Sequence, residues 1–590
     1  MGPSNRTFLR LALPLVFGFA PSVAVPSGTT AQVPWTEADT RRVVDNVSEL
    51  WLDPDLSQLS EGERIAVANL VEAGKIFQEL YEDQNHPDAI WARMNVRPDS
   101  DEAILYRLYQ GPIATNGSNQ RVPFLPVRPE RPGRNVYPLD ITPGGLDRFI
   151  AAHPSQRDDL LDVRTVVRRA TEANLLADRA VLEANPWLRV LHPELSAEMD
   201  SLRPSDEVYY AVPYAVAYAG PLLRIRDHLL TAADAVAAED RDLAAYLRLR
   251  AADLLTSNYE GGDAAWVSGQ FVNVNAQIGS YETYDDALYG VKAFYSLSLL
   301  ARDRPRSDEL AAALTDIQAI ENSLPYARPK TVRSQIPVGV YNVVADFGQA
   351  RGTNTATILP NDADHARKYG RTILLRYNIM TAPQLFEGAR SRFCAAVAES
   401  HCSELSMEGN FQRTLWHEIG HYLGVDRTDD GRALDDALGA VSNLYEEMKA
   451  DLVSLFSAER LHRDGHYTDR ELREFYAGGI LRVLQAGPPR RDQPYQTMQL
   501  MQWNWYLDRG MLTLENGRLR IHYDRYPDAV ESLLREVLAV QASGDPARAE
   551  AFIDAWTTWD PAVHGVVAAA IRGAAGSGGF WLVRYGVLDR

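Results

Sequence analysis

The sequence predicts an α+β protein that is predominantly helical and divided into two lobes. The chain has 590 residues, more than one compact domain usually holds, so two domains are expected. Apolar residues recur three and four positions apart through most of the chain, which is the spacing of amphipathic helices. Residues 332–380 differ, because β-branched residues and glycines there predict short strands in a small sheet or barrel.

The beginning of the chain is typical of a secretory signal peptide. Arg6 and Arg10 precede a short apolar run at residues 11–20, and small residues continue as far as Ala31. We predict that residues 1–31 are removed. The mature protein is then expected to be periplasmic or secreted and not bound to a membrane, because no later apolar stretch has the length of a membrane span.

Composition argues against nucleic acid as a partner. Apolar residues make up 46% of the chain and charged residues 24%, which is ordinary for a globular protein. The net charge of −19 is spread along the chain without acidic blocks. A negative protein repels nucleic-acid phosphates and anionic membrane surfaces. An acidic enzyme that acts on small substrates fits this composition.

The helical pattern is interrupted twice. Residues 35–110 are amphipathic, and six prolines between residues 112 and 138 mark an irregular connection before helices resume. Residues 338–344 and 353–359 read as strands, and the pattern becomes helical again after residue 385.

Two segments late in the chain carry metal-binding chemistry. His417-Glu418-Ile419-Gly420-His421 is a His-Glu-x-x-His motif in a predicted helix. Residues four apart lie on one face of a helix, so His417 and His421 can bind the same ion. Glu418 is placed to deprotonate a water without being a ligand, as in zinc hydrolases. The alternative is a helix whose two histidines are ordinary core or surface residues.

A third ligand is expected about 26 residues later. Four apolar residues there define a buried helical stripe: Leu444, Met448, Leu452 and Leu455. Glu447 and Asp451 border that stripe, and acids beside a buried face need a positive partner. We assign Glu447 as the third ligand and Asp451 or Glu446 as the acceptor for the outer N–H of a histidine. An exposed acidic patch is the alternative.

The two cysteines, Cys394 and Cys402, lie shortly before the metal motif. In an oxidising compartment they could close a small loop. Two unpaired thiols on a helix are the equally open alternative.

Four blocks within residues 255–510 resemble the dipeptidyl peptidase III family of zinc metallopeptidases, especially its shorter bacterial members. Residues 278–286 are similar to the Glu-x-Tyr-x-Asp signature, and residues 356–362 to a substrate-aligning strand that ends in Pro-Asn. The His-Glu-x-x-His motif and residues 446–451, similar to Glu-Glu-x-Arg-Ala-acid, complete the set.

The resemblance implies a dipeptidyl peptidase with one zinc ion per chain. It implies a lower lobe, residues 32–365, that carries the small sheet, and a mostly helical zinc lobe, residues 366–590, with a cleft between them that closes on peptide. Glu282 would then bind the free amino terminus of a short peptide, Tyr284 would donate to the oxyanion, and Asn361 would bind the peptide backbone. Without the resemblance, Tyr284 is an ordinary core or cleft tyrosine and Asn361 a turn residue.

Three departures from the family pattern bear on the activity. The histidines keep the ordinary four-residue spacing, whereas longer members have one residue more. Ile358 stands where the family strand usually has Asn, which removes one anchor for the peptide. A downstream family histidine is absent, and Tyr495 falls near its position as a substitute hydrogen-bond donor.

The sequence therefore predicts a monomeric zinc metallopeptidase that acts on short peptides. A zinc endopeptidase or an exopeptidase of another register is the enzymatic alternative, favoured by Ile358. A periplasmic peptide-binding protein with weak or lost turnover is the other alternative, suggested by the absent histidine.

Overall fold

The computed structural model describes residues 33–332, 336, 338–360, 362–491, 493–574 and 579–589. The predicted signal peptide, residues 1–31, lies outside the described residues. Helices predominate and the strands form small sheets. Together with a division into two compact units, this confirms the predicted α+β class.

The elements are numbered along the chain. The strands are β1 Val47–Leu52, β2 Ile113–Thr115, β3 Arg121–Pro123, β4 Thr165–Arg169, β5 Tyr209–Pro213, β6 Val274–Ser280, β7 Tyr295–Arg302, β8 Val338–Gly348, β9 Ala356–Leu359, β10 Thr372–Arg376, β11 Leu512–Glu515, β12 Arg518–Ile521 and β13 Phe580–Tyr585. The helices of the first half are α1 Glu37–Val44, α2 Glu61–Asn85, α3 Ala89–Asn95, α4 Asp101–Tyr109, α5 Pro143–Ala152, α6 Arg157–Leu160, α7 Glu172–Ala184, α8 Pro186–Leu191, α9 Pro193–Ser201, α10 Tyr214–Ala217, α11 Ala219–Val236, α12 Arg241–Thr256 and α13 Glu260–Ser268. Those of the second half are α14 Arg304–Leu314, α15 Ile317–Ser323, α16 Ala363–Tyr369, α17 Tyr377–Met380, α18 Pro383–Ala396, α19 Met407–Gly420, α20 Leu434–Leu438, α21 Ser442–Arg463, α22 Asp469–Val483, α23 Pro494–Asp508, α24 Tyr526–Ser543, α25 Pro546–Trp556, α26 His564–Ala574 and α27 Gly586–Asp589.

The two units are each assembled from separate stretches of chain. Unit 1 takes the described residues within 33–303, 341–376 and 579–589. Unit 2 takes those within 304–340 and 377–574. The lobe boundaries proposed from the sequence, residues 32–365 and 366–590, stay a prediction.

Unit 1 contains a five-stranded sheet in the order β6-β7-β8-β10-β9. Strand β6 is buried along its whole length, and β7 is buried except at Arg302, because helices cover the sheet. Strand β9 lies at one edge and pairs antiparallel with β10. Of the two alternatives left open by the sequence, the described strands therefore form an open sheet.

The first stretch predicted to be helical contains a strand that the spacing of apolar residues does not reveal. Residues 35–110 are expected to be helical throughout, but β1 interrupts them and pairs in parallel with β13. Leu50 and Leu52 are buried while Trp51 is exposed, which is the alternation of a strand. The helical prediction is therefore wrong at these positions, where a partner more than 500 residues away decides the structure.

Helix α19 begins with a side-chain cap and packs closely on two neighbours. The hydroxyl of Ser406 accepts a hydrogen bond from N–H of Gly409 at 2.9 Å. A Cβ on Gly420 would lie 2.7 Å from the carbonyl oxygen of Ala450 in α21, and one on Gly409 would lie 2.5 Å from the backbone of Glu474 in α22. The two glycines therefore allow α19 to approach both helices at backbone distance.

Cys394 and Cys402 are joined by a disulfide, with their Cα atoms 4.9 Å apart. The bond ties the end of α18 to the turn that precedes α19. This decides between the two alternatives that the sequence left open for these cysteines.

Among the described residues, none of the helices combines the length and the apolar composition that a membrane-spanning segment needs.

Candidate metal centre

Three side chains from two helices bring their ligand atoms together in unit 2. His417 lies in α19, His421 directly follows its last residue, and Glu447 lies in α21. One ligand atom from each lies within 4.8 Å of the other two. Nε2 of His417 is 3.3 Å from Oε2 of Glu447, and Nε2 of His421 is 4.0 Å from the same oxygen. The group has the composition and spacing of a metal site.

The distances and the hydrogen bonding of this group both fit a bound cation. Nitrogen and oxygen ligands around a tetrahedral zinc ion lie roughly 3.3–3.5 Å apart. The distance between Nε2 of His417 and Oε2 of Glu447 agrees with that value. The distance from Nε2 of His421 to the same oxygen exceeds it by about half an ångström. Nε2 of His421 and Oε2 of Glu447 are buried, and no described residue forms a hydrogen bond with either. A shared cation would satisfy both atoms.

Each histidine has its own carboxylate at the outer ring nitrogen. Nδ1 of His417 lies 2.7 Å from Oδ1 of Asp451, and Nδ1 of His421 lies 3.0 Å from Oε1 of Glu446. A carboxylate at Nδ1 fixes the tautomer in which Nε2 carries the free lone pair for a metal. The sequence left Asp451 and Glu446 as alternatives, whereas the structure uses both.

Asp451 is held by two arginines and an amide that sequence inspection missed. Nη1 of Arg413 lies 3.2 Å from Oδ1, Nε of Arg482 lies 3.3 Å from Oδ2, and Nε2 of Gln502 lies 3.4 Å from Oδ2. Arg413 precedes His417 by four residues, so one turn of helix places both on the same face. Arg482 and Gln502 come from α22 and α23, and no local pattern connects them with the metal motif.

Glu446 is paired with a buried lysine from its own helix. Nζ of Lys449 lies 2.8 Å from Oε1 of Glu446, one turn away. Burial acts to raise the pKa of Glu446, but the charges of Lys449 and His421 outweigh it and lower the pKa to about 2. Glu446 is therefore ionised at neutral pH.

Electrostatics at His417 favours a cation at this position. Burial acts to lower the pKa of His417, but the neighbouring carboxylates, Asp451 first, outweigh it and raise the pKa to about 9. Burial acts to raise the pKa of Asp451, and Arg482, His417 and Arg413 together bring it far below its usual range. The carboxylates thus stay ionised and require positive charge around them.

Glu418 is buried next to the metal group. Both of its carboxylate oxygens are buried, and no described residue forms a hydrogen bond with them. It follows His417 directly in α19, and its charge contributes to the raised pKa of His417 and of Tyr495. A carboxylate without competing hydrogen bonds beside a metal group is suited to accept a proton.

Tyr495 contacts the proposed third ligand. Its hydroxyl donates to Oε1 of Glu447 at 3.0 Å, while Oε2 faces the histidines. Burial and then the charge of Glu447 raise the pKa of Tyr495 well above its usual value, so the hydroxyl stays a donor. In the structure Tyr495 therefore positions Glu447, and a direct role toward substrate stays a prediction.

Three of the remaining predicted residues, Glu282, Tyr284 and Ile358, belong to unit 1. Glu282 and Tyr284 lie in the connection from β6 to β7, where Glu282 is half-buried and the side chain of Tyr284 is 63% exposed. Ile358 lies in the edge strand β9. Asn361 lies outside the described residues.

Comparison with known proteins gives one curated relative, and no family model matches the chain. Nudix hydrolase 3 of Arabidopsis thaliana is 23% identical over 566 residues, which covers 88% of this chain and 70% of that protein.

Solved structures also resemble this chain in fold. Dipeptidyl peptidase III from Caldithrix abyssi superposes with a TM-score of 0.75 at 23% identity, covering 94% of this chain and 99% of that one. The enzyme of the same name from Corallococcus sp. strain EGB gives a TM-score of 0.65 at 23% identity, covering 93% and 97%. The resemblance inferred from the motifs is thus confirmed at the level of the fold, and this chain has the fold of the dipeptidyl peptidase III structures.

Proposed function

We propose that the protein is a zinc-dependent metallopeptidase of the dipeptidyl peptidase III type, which releases dipeptides from the free amino termini of short peptides. The observation that carries the proposal is the convergence of His417, His421 and Glu447, with a carboxylate at the outer nitrogen of each histidine. The fold shared with the two dipeptidyl peptidase III structures supports the same conclusion.

The donor set favours zinc over other divalent ions. Two imidazoles and one carboxylate form the His₂Glu set of several zinc peptidases, whereas magnesium and calcium prefer oxygen ligands. When bound in such a site, zinc acts as a Lewis acid that polarises a carbonyl and acidifies water.

Glu418 carries the proton transfer in this proposal. Its unpartnered carboxylate takes a proton from the attacking water and passes it to the leaving amine, as a general base and then a general acid. Burial of Glu418 keeps bulk water from competing for that proton. Asp451 and Glu446 hold the histidines, and Tyr495 holds Glu447, so that the ligands do not reorganise during the reaction.

Peptide recognition is assigned to unit 1. Strand β9 is at the edge of the sheet, and no described strand pairs with its second edge, so an extended peptide can add to it through backbone hydrogen bonds. The proposal retains Glu282 for the terminal ammonium, Tyr284 for the oxyanion and Asn361 for the peptide backbone. Backbone recognition tolerates varied side chains, which suits a broad set of short peptides.

The cellular setting is also part of the proposal. A secreted or periplasmic monomer without nucleic-acid or membrane partners follows from the predicted signal peptide and the acidic composition. The disulfide between Cys394 and Cys402 supports an oxidising compartment.

One enzymatic alternative is favoured by a specific residue. Ile358 stands where the family strand usually has Asn, so one amide that anchors the peptide is missing. Binding of the peptide in the position that releases dipeptides is then weaker, which favours an endopeptidase or an exopeptidase of another register. A peptide-binding protein with weak turnover remains the alternative from another class, and the retained Glu418 opposes it.

Mass spectrometry of the products from a mixed peptide library tests the proposal. Dipeptides released only from free amino termini, and only without chelator, are expected. Amino-terminally acetylated peptides form the matched control, and their cleavage at an undiminished rate would remove Glu282 from its role. A wild type no faster than Glu418→Gln in a single turnover would favour the peptide-binding alternative.

A further inference from the structure

Unit 1 contains a cavity of about 330 Å³ that the proposed reaction does not use. Helices α2, α3 and α7 and the junction between α10 and α11 surround it. Its walls are mainly apolar: Leu80, Ile90, Val181, Val216, Ala217 and Pro221. The volume lies at the lower end of the range for small-molecule sites, roughly 300–1,000 Å³.

Two acids line this cavity, and among the described residues a cation is paired with only one of them. Oε1 of Glu79 forms an ion pair with Nη2 of Arg93 at 2.6 Å. The carboxylate of Asp83 is 3.4 Å from the amide nitrogen of Asn135, and no described cation forms an ion pair with it. Asp83 therefore contributes a negative charge to an apolar cavity.

The cation that influences Asp83 most is already paired. Arg168 acts on Asp83 electrostatically, but its guanidinium forms an ion pair with Asp178. Burial raises the pKa of Asp83 to about 6, and Arg168 offsets this only in part. A partly buried carboxylate in this position is stabilised by a ligand that brings its own positive charge.

Tyr218 supplies a second polar group beside this carboxylate. The residue is 8% exposed and lines the same cavity as Asp83. Burial and then the charge of Asp83 raise the pKa of Tyr218, so its hydroxyl keeps its proton at neutral pH. A hydroxyl in a cavity wall can donate to or accept from a ligand bound there.

We propose that this cavity binds a primary amine carried on a small apolar body. The ammonium group pairs with Asp83 and donates to the hydroxyl of Tyr218, and the apolar body packs against Leu80, Val181 and Val216. The carboxylate supplies the negative charge that attracts the ammonium group. The apolar walls select for a ligand with an apolar body. The inference is independent of the proposed peptidase activity, because none of these residues belongs to the metal centre.

Calorimetric titration of the full chain with isopentylamine and with isopentanol tests the proposal. The two probes have similar shapes, and only the amine carries a charge. Saturable binding of the amine, at least ~10-fold tighter than that of the alcohol, is expected from one charge-assisted hydrogen bond. Equal affinity for both probes would overturn the proposal.

Four variants locate the binding. Asp83→Asn is expected to weaken amine binding at least ~10-fold, and Ala217→Leu to weaken it by filling the cavity while Asp83 stays in place. Asp234→Asn, an exposed acid on α11, is the matched control and should bind as the wild type does. Unchanged affinity in both Asp83→Asn and Ala217→Leu would overturn the proposal, as would loss of binding in Glu282→Gln, which would assign the amine to the peptide site.

Discussion

Nδ1 of His417 lies 2.7 Å from Oδ1 of Asp451, while Nε2 of the same ring faces Oε2 of Glu447 at 3.3 Å. The carboxylate of Asp451 thus orients the imidazole from one side. The carboxylate of Glu447 lies on the other side, where both residues are proposed to bind the same metal ion. Asp451 is itself fixed by Arg413 and Arg482. The orientation of the proposed ligand therefore depends on charges from three helices, α19, α21 and α22.

Replacing Asp451 by Asn should weaken zinc binding without removing a ligand. Loss of a carboxylate at the outer nitrogen of a ligand histidine typically costs ~10–100-fold in metal affinity. Competition with a chromophoric chelator measures the dissociation constant. Asp464→Asn, at the exposed end of the same helix, is the control and should match the wild type. Wild-type affinity in Asp451→Asn would contradict the orienting role.

Replacing Tyr495 by Phe separates a positioning role from a catalytic one. The hydroxyl donates to Oε1 of Glu447, so its loss should weaken zinc binding by at least ~10-fold, as expected for one hydrogen bond to a charged group. Zinc affinity and kcat should be measured on the same preparations. A large fall in kcat of fully loaded enzyme, with unchanged zinc affinity, would instead assign Tyr495 to the substrate.

The close approach of α19 and α21 predicts a strong effect of a single methyl group. A Cβ on Gly420 would meet the backbone of Ala450 at 2.7–3.0 Å, and backbone cannot move aside as a side chain can. Gly420→Ala should lower the free energy of unfolding by about 1–3 kcal/mol and weaken zinc binding. Gly388→Ala is the control, because a Cβ there meets open space. Equal zinc affinity in the two variants would show that the helix spacing does not set the site.

The metal motif was predictable because its chemistry is local in sequence. One helical turn relates His417 to His421, and the acids around Glu447 border a stripe whose four apolar members are all buried. The pattern also indicates that Asp451 or Glu446 supports a ligand histidine, although it could not show that the two acids lie at different histidines.

Features that depend on distant partners were not predictable from periodicity. Strand β1 is defined by its pairing with β13, and Asp451 is held by Arg482 and Gln502 from two later helices. The units are also discontinuous in the chain, whereas a boundary drawn from composition assumes continuous stretches. Tertiary contacts outweigh local propensity in each case.

The unneutralised charge of Asp83 predicts a dependence of stability on pH. Burial raises its pKa from 3.8 to about 6, so the folded state binds the proton more tightly than the unfolded state. Its contribution to stability is therefore greatest below pH 4 and is lost as the pH rises through 6. Asp83→Asn should raise the free energy of unfolding by on the order of 1–2 kcal/mol at pH 8 and by little at pH 4. Calorimetry at both pH values, with Asp234→Asn as control, checks this, and an equal effect at the two pH values would refute it.

The metal content of the purified mature protein tests the central claim most directly. The protein is loaded with excess zinc, desalted and assayed for metal by mass spectrometry, beside Glu418→Gln and a His417→Ala, His421→Ala double variant. One zinc ion per chain is expected in the wild type and in Glu418→Gln, and none in the double variant. A wild type that retains no stoichiometric zinc would contradict it.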